Sequence, residues 1–466
     1  MLVGGMAELC RPAAALPESA LPDGASPIAA QPVVGLPRPR YAERFACIGP
    51  ECEDSCCKAW DLRLDRATYE RYQLIPVESL LGRKVRESVV ELSDPRSERQ
   101  HGRILLNERL ECAFLTEEKW CGIQLELGEE ALSPTCRTYP RIEQRTPSGR
   151  VETTLHLSCP EAARLVLTET DAVAARPDAS AYRAVAERVV EERARAAEER
   201  EWVLDREWVL DGTRRFLLLL LRDRRYSLGE RMLGMGLFAG RLGVALRADG
   251  AGDSFAKLLG EFCGMVGEGT LLPALRRLAG QPTMQVALTL GVVNRRLDRA
   301  LNSMGFLDGV KQFLDGIGYR PGMTPEALAP ALERAEREWF APWMEAHPQV
   351  LENYLAHAVF RSLFPFGEDW NQPDPAAVFR EMGTHFVAIR TLLVGMAGAR
   401  GASFRGEAGV RDGVRMVQAY SRMVDHHAEF LETAAGLLDA FQWTDAGSLA
   451  GLLLEGAGRG GASGIG

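Results

Sequence analysis

The chain has 466 residues, 46% of them hydrophobic and 26% charged, with a net charge of -9. That length and apolar share suffice for two or three domains whose cores need no disulfide staples. An acidic balance with no long basic block argues against a nucleic-acid partner, and the richest apolar run, Phe216 to Leu221, is too short for a membrane span.

Residues 1–40 carry a proline at every fifth position from Pro12 to Pro37 and read as an extended, disordered tail. The start shows no early Lys or Arg, and Glu8 and Arg11 break its apolar stretch, so no secretory leader is expected. The expected compartment is the cytoplasm, where thiols stay reduced. Residues 41–165 read as a small, loop-rich α+β unit. A capped helix is expected over 65–75, short strands with a turn at Asn107-Glu108 over 102–115, a helix over 121–132 and an alternating strand over 150–159. From Pro160, at a first helical position, the pattern is helical to about residue 455. One long helical stretch covers 181–221 and contains EWVLD twice, at 201–205 and 207–211, a spacing that does not keep one helix face. Further helices are expected over 227–246, 254–266, 284–304, 350–364, 386–397 and 412–441, with breaks at 318–328 and 364–375. The glycine-rich 395–409 reads as a loop and 456–466 as a flexible tail. The predicted fold is mainly α: a cysteine-rich metal-binding unit followed by a larger all-helical domain.

Eight of the ten cysteines fall between residues 47 and 159: Cys47, Cys52, Cys56 and Cys57 in CIGPECEDSCC, then Cys112, Cys121, Cys136 and Cys159. In a reducing compartment this density points to metal ligation rather than disulfides. Thiolates are soft ligands that suit zinc or iron–sulfur centres. Four suffice for one tetrahedral zinc or one 4Fe–4S cube, so eight permit two sites, or one site plus structural thiols. Adjacent Cys56 and Cys57 point different ways from an extended backbone. Cys159 precedes Pro160, and Cys136 follows Ser133-Pro134, so both sit at helix starts whose amides would lower a thiol pKa. Arg137 and Arg141 in CRTYPR could offset a thiolate cluster's charge or bind a carboxylate or phosphate, or be plain surface charge. His426-His427 with Asp425, and the pair Tyr354 and His357, are weaker candidates that read mainly as helix surface and core. Trp60 and Trp120 could shield a cluster from water or simply pack, and Cys263 reads as a buried helix residue.

The stretches CIGPECEDSCCKAWDLRLD, CAFLTEEKWCGIQLELGEEALSPTCRTYPR and HLSCPEA resemble the cysteine-rich family of zinc- or iron-chelating proteins, and more narrowly its flagellin lysine-N-methylase branch. A weaker likeness continues at Leu351–Phe366 and Ala419–Leu431. The resemblance implies S-adenosylmethionine-dependent methylation of flagellin lysines and an iron–sulfur cluster, 4Fe–4S, with zinc as the alternative. It carries Cys47, Cys52, Cys56, Cys57, Cys112, Cys121, Cys136 and Cys159 over as ligands, with flagellin as partner and no nucleic acid or membrane. The competing reading is a non-enzymatic metal-binding interaction module. Direct methyl transfer would need a deprotonated lysine amine. The radical spacing C-x3-C-x2-C is matched only in its first half, by Cys52 and Cys56. GAGRGG at 456–461 has the glycines of a nucleotide-binding turn but no helix after it. Sequence reasoning therefore places neither catalytic residues nor the methyl-donor pocket.

Overall fold

The structure, a computed structural model, describes residues 39, 41–59, 62–93, 100–169, 177–199, 202–248, 250–300, 303–367, 369–424 and 446–456. The expected proline-rich tail, Trp60, the Asp425–His427 group and the 457–466 end lie outside the described residues.

Two cores organise the molecule. The smaller holds a three-stranded antiparallel sheet, β1 (Leu62–Leu64), β2 (Val89–Glu91) and β3 (Gly102–Ile104), in the order β1-β3-β2. Ile104 stands opposite Leu62 on one side and Val89 on the other, so the side-chain alternation of paired strands buries all three together. Two helices pack here, each started by a side-chain cap: Asp65 accepts from the Thr68 amide (3.0 Å) and Ser79 from the Gly82 amide (2.9 Å). The first, Arg66–Gln73, matches the expected capped helix. Tyr72 donates its hydroxyl to the Ala131 carbonyl (2.9 Å), closing the core over Phe114, Ile123 and Leu132. The helix expected over 121–132 divides at Gly128, whose φ of +86° ends Gly122–Leu127 before a 3-10 turn, Glu129–Ala131.

The larger core is helical. It also takes in the first helix, Tyr41–Arg44, and the hairpin of β4 (Arg141–Arg145) with β5 (Val151–Leu155). The long stretch expected over 181–221 consists of two helices, Ala179–Glu199 and Trp202–Arg222. They pack together through Trp208, whose indole donates to the Val189 carbonyl (3.0 Å), and through an Arg215–Glu192 pair (2.8 Å). The helix Leu228–Arg247 begins with a full capping box between Ser227 and Glu230.

Pro375–Arg400 is the central helix. It is long and apolar enough by composition to cross a membrane, yet it is buried among the other helices. The loop expected over 395–409 is instead the end of this helix, a 3-10 turn at Gly401–Phe404 and the start of the helix Glu407–Val424. Its glycines serve close packing. A Cβ on Gly395 would lie 2.4 Å from the Phe313 ring, and one on Gly316 only 1.8 Å from the Gly395 carbonyl oxygen. The helix Met304–Gly316 thus meets the central helix backbone to backbone.

Gly316→Ala is therefore expected to destabilise the protein by about 1–3 kcal/mol through overpacking. Gly260→Ala, in a helix where the added methyl meets nothing within 4 Å, should stabilise by about 0.5–1 kcal/mol. Urea unfolding followed by helical circular dichroism reads both.

Candidate metal centre

The cysteine loop is built by turn chemistry and then anchored on both cores. Gly49, at φ +54°, opens a 3-10 turn, Gly49–Glu51, and donates its amide to the Cys47 sulfur (3.4 Å). The Trp120 ring covers this turn so closely that a Cβ on Gly49 would stand 2.5 Å from it. Downstream, Glu53 pairs with Arg164 (2.9 Å). The Asp54 carboxylate accepts from Gln418 (2.8 Å) and pairs with Arg422 (3.1 Å). Arg422 also donates to the carbonyls of Asp54 (3.2 Å), Ser55 (3.2 Å) and Lys58 (2.7 Å). Two residues on, the partners change. The Cys112 amide donates to the Cys57 carbonyl (2.7 Å), and Lys58 bridges Glu111 both as backbone and as ion pair (2.6 Å). The chain passes from the large core to the small one across Cys57 and Lys58, whose carbonyl Arg422 still holds.

That crossing sorts the eight thiols. Cys57, Cys112 and Cys121 belong to the small core. Cys136, in the short helix Pro134–Thr138 capped by Ser133, joins them. Each of these four thiols interacts electrostatically with the other three. Cys159 is buried in the large core, and its thiol interacts with Cys47 and Cys52, which interact with each other. Cys56 stands between the groups, interacting with Cys57, Cys136 and Cys47. The expected divergence of adjacent Cys56 and Cys57 is not found, because the two thiols hydrogen-bond to each other, and the eight form two neighbourhoods joined through Cys56. All eight are free thiols. Among the described residues, no three His, Cys, Asp or Glu side chains close on one point as a ready-made ion cage.

The thiol electrostatics follow from crowding and burial. The Cys56 S–H donates to the Cys57 sulfur, which lowers Cys57 to about 7 and pushes Cys56 up. Burial pushes Cys112 up to about 12. The helix starts do not lower Cys136 and Cys159 overall. The Ala162 and Glu161 amides pull Cys159 down, but desolvation is larger and holds both thiols at about 11.

Other sequence candidates are structural. Arg137 pairs with Glu130 (3.0 Å), and Arg141 donates to the Phe45 carbonyl (2.9 Å) with its guanidinium over the Phe45 ring. His357 is buried and bonded to the Tyr41 hydroxyl (2.8 Å), and burial depresses it to about 3. Tyr354 packs in the same core, and Cys263 is a buried helix residue as expected. Sequence reasoning missed Asp54, Gln418 and Arg422. The signal was present: Gln418 and Arg422, one turn apart, fall on the buried side of the helix Glu407–Val424.

Arg422→Gln is expected to cost about 2 kcal/mol, because hydrogen bonds from a charged donor to buried carbonyls are lost. Hydrogen exchange at residues 54–58 and alkylation of Cys56 should both accelerate. Unchanged rates would show that the loop is held by other contacts.

The family model for the FliB lysine N-methylase C-terminal domain matches residues 214–452. A lysine-N-methylase of Salmonella typhimurium is 34% identical over 137 residues, which are 29% of this chain and 33% of that protein. The flagellar biosynthetic protein FliU of Salmonella muenchen is 34% identical over 137 residues, 29% of this chain and 79% of its own length. A lysine-N-methylase of Salmonella choleraesuis is again 34% identical over 137 residues, 29% of this chain and 33% of that relative. The match thus spans about a third of the two named methylases. No solved structure matches. With the family model covering just over half of its 466 residues, the chain belongs to the FliB lysine N-methylase family.

Proposed function

We propose that the protein is a protein-lysine N-methyltransferase that moves a methyl group from S-adenosylmethionine to lysines of flagellin in the cytoplasm, with a thiolate-bound iron–sulfur cluster in its cysteine-rich unit. The observation that carries this reading is the family match over 214–452, joined in one chain to eight free thiols gathered in two neighbourhoods. The flagellar name of one relative supports the substrate.

The thiols fit such a centre in kind, in number and in neighbourhood, though not as a preformed cage. Cys57, Cys112, Cys121 and Cys136 are the proposed ligands, since they form a set of four in which every thiol interacts with every other. When bound there, a 4Fe–4S cluster would supply one-electron or Lewis-acid chemistry. The chain's own contribution is positional. Arg422 fixes the loop, Trp120 covers the Gly49 turn, and the Cys56 S–H donates to Cys57, so that this thiol is the one readiest to ionise. A lysine amine entering this region must shed its proton before it can attack a methyl group, and desolvation would favour the neutral form. The same four thiols also suit a structural tetrathiolate zinc, because they tie together three chain segments of the small core. That is the second reading, and it predicts no methyl transfer.

The test is anaerobic purification with metal analysis, combined with transfer of labelled methyl from S-adenosylmethionine to flagellin. The expected protein is brown, holds about four irons and labels flagellin on lysine. Cys121→Ser should lose iron and labelling, and Cys52→Ser should keep its iron. A colourless protein holding zinc and labelling nothing would overturn the enzymatic reading, and equal iron loss in both variants would overturn the ligand set.

A further inference from the structure

A hollow of about 230 Å³, lined by no cysteine, lies between the turn that joins Trp202–Arg222 to Leu228–Arg247, the five-residue π-helical turn Glu336–Phe340 and the helix Ala341–Ala346. A second, of about 120 Å³, adjoins it and shares Glu336, Ala341 and Glu455. Isolated π turns are uncommon and recur at functional sites, because the widened turn re-aims its side chains. Here it brings both Glu336 and Phe340 to the hollow.

The charges around the hollow are equal in number but segregated. Beneath its wall, fully buried Glu352 is held by three guanidiniums: Arg222 (3.2 Å), Arg224 (2.9 Å) and Arg231 (2.7 Å). Among the described residues, the other hydrogen-bond partners of this trio are neutral. Arg222 donates to the Asn353 side-chain oxygen (2.6 Å), and Arg231 donates to the Leu221 (2.6 Å) and Tyr226 (3.0 Å) carbonyls. Glu352 is the one carboxylate that bears on Arg222 and Arg224. Burial, together with the Arg224 and Arg231 charges, depresses Arg222 despite that carboxylate. One buried carboxylate shared by three guanidiniums leaves each only partly matched, and this wall of the hollow is the positive one. Arg224 and Arg231 both line the hollow, and the Arg224 side chain is 45% exposed. The remaining walls carry the opposite character. Glu336 and Glu345 stand on the π-turn side, Glu455 accepts from the Ser227 hydroxyl (3.0 Å), and Phe340, Met344 and Leu351 give apolar surface. Arg390 is already matched by Glu336 (2.8 Å).

We propose that this hollow binds an apolar α-amino acid as its zwitterion, with the carboxylate on Arg224 and Arg231, the ammonium toward Glu345, and the side chain along Phe340 and Met344. A phosphate or other polyanion would meet Glu336 and Glu345 unfavourably, whereas a zwitterion answers both walls. The volume is below the usual range for drug-sized ligands and suits an amino acid. For its physiological occupant the inference rests on the methyl-transfer reading, which makes the ligand the methionyl end of the methyl donor. The chemistry of the hollow does not depend on that reading. The site is also distinct from the thiols. Asn353 donates to the Leu167 and Glu169 carbonyls at one end of the helix Pro160–Thr168, and Cys159 lies at the other end, a rise of about 13 Å.

Calorimetric titration of the full chain with L-methionine tests this, with acetate and methylamine as single-charge probes and S-adenosyl-L-homocysteine as the donor-like probe. The expected result is one saturable methionine site, weaker binding of either single-charge probe, and affinity reduced at least about tenfold in Arg224→Gln, with its metal content unchanged. Met344→Glu, which places a carboxylate in the hollow, should also lose binding and serves if Arg224→Gln fails to fold. No saturable binding by the parent chain, or full affinity in a folded Arg224→Gln, would overturn the site. Acetate binding as tightly as methionine would overturn the zwitterion. Methionine binding without S-adenosyl-L-homocysteine binding would overturn the link to the methyl donor and leave the amino-acid site standing, whatever the flagellin assay gives.

Discussion

One guanidinium holds the junction on which the cysteine unit depends. An irregular, half-buried loop between two cores must find donors for carbonyls that water reaches only in part. Arg422 donates to three of them, at Asp54, Ser55 and Lys58, while the Asp54 carboxylate answers its charge. The pairing offsets the cost of burying both ions and leaves few donors unspent. The loop can then change cores across Cys57 and Lys58, while the Cys56 and Cys57 thiols stay hydrogen-bonded to each other.

From that crossing follows the behaviour of the sulfurs. Thiolates packed together in a poorly solvated region repel one another, so ionisation of one suppresses ionisation of its neighbours. Cys57 escapes because the adjacent thiol donates a hydrogen bond to it, and Cys112 cannot because it is buried without such a donor of comparable effect. Helix-start amides were the reason to expect acidic thiols at Cys136 and Cys159. They act in the expected direction at Cys159 and lose to desolvation. A bound cation would reverse this ordering, since its charge exceeds any that the helix ends supply.

Much of the fold was legible because most helices carry ordinary signals. Asp65 and Ser227 mark starts that the structure keeps, and Pro160 stands where a first helical residue should. The failures have one physical theme. Gly395 and Gly398 read as loop because glycine opposes helix formation locally, yet they lie in the central helix, where any side chain would strike the neighbouring helix. Tertiary packing outweighed local preference there. The cysteine spacing identified the residues of the candidate site but not their sorting. Sorting depends on which core each segment joins, and that was decided by contacts such as the Cys112 amide to the Cys57 carbonyl and Arg422 to Lys58, far apart in sequence. The Arg222, Arg224 and Arg231 trio was illegible for the same reason, since its carboxylate comes from Glu352, over a hundred residues on.

The helical domain is more than a platform for the cysteine unit. Gln418 and Arg422 lie within the family-matched region, and both direct their polar groups at the cysteine loop and its surroundings: Gln418 donates to Asp54 and to the Ser158 carbonyl, beside Cys159. Without the cysteine unit these buried groups would lose their partners, and leaving a buried donor unmade costs more than the bond itself returns. The same region supplies the arginines around Glu352. The helix Pro160–Thr168 links the two places: Cys159 stands at its start, and the carbonyls near its end accept from Asn353, next to Glu352. One short helix therefore joins a region rich in potential negative charge to one where three guanidiniums share a buried carboxylate. It ties Cys159, and not the four proposed ligands, to the surroundings of that carboxylate, so the two places are coupled through packing of the helical domain.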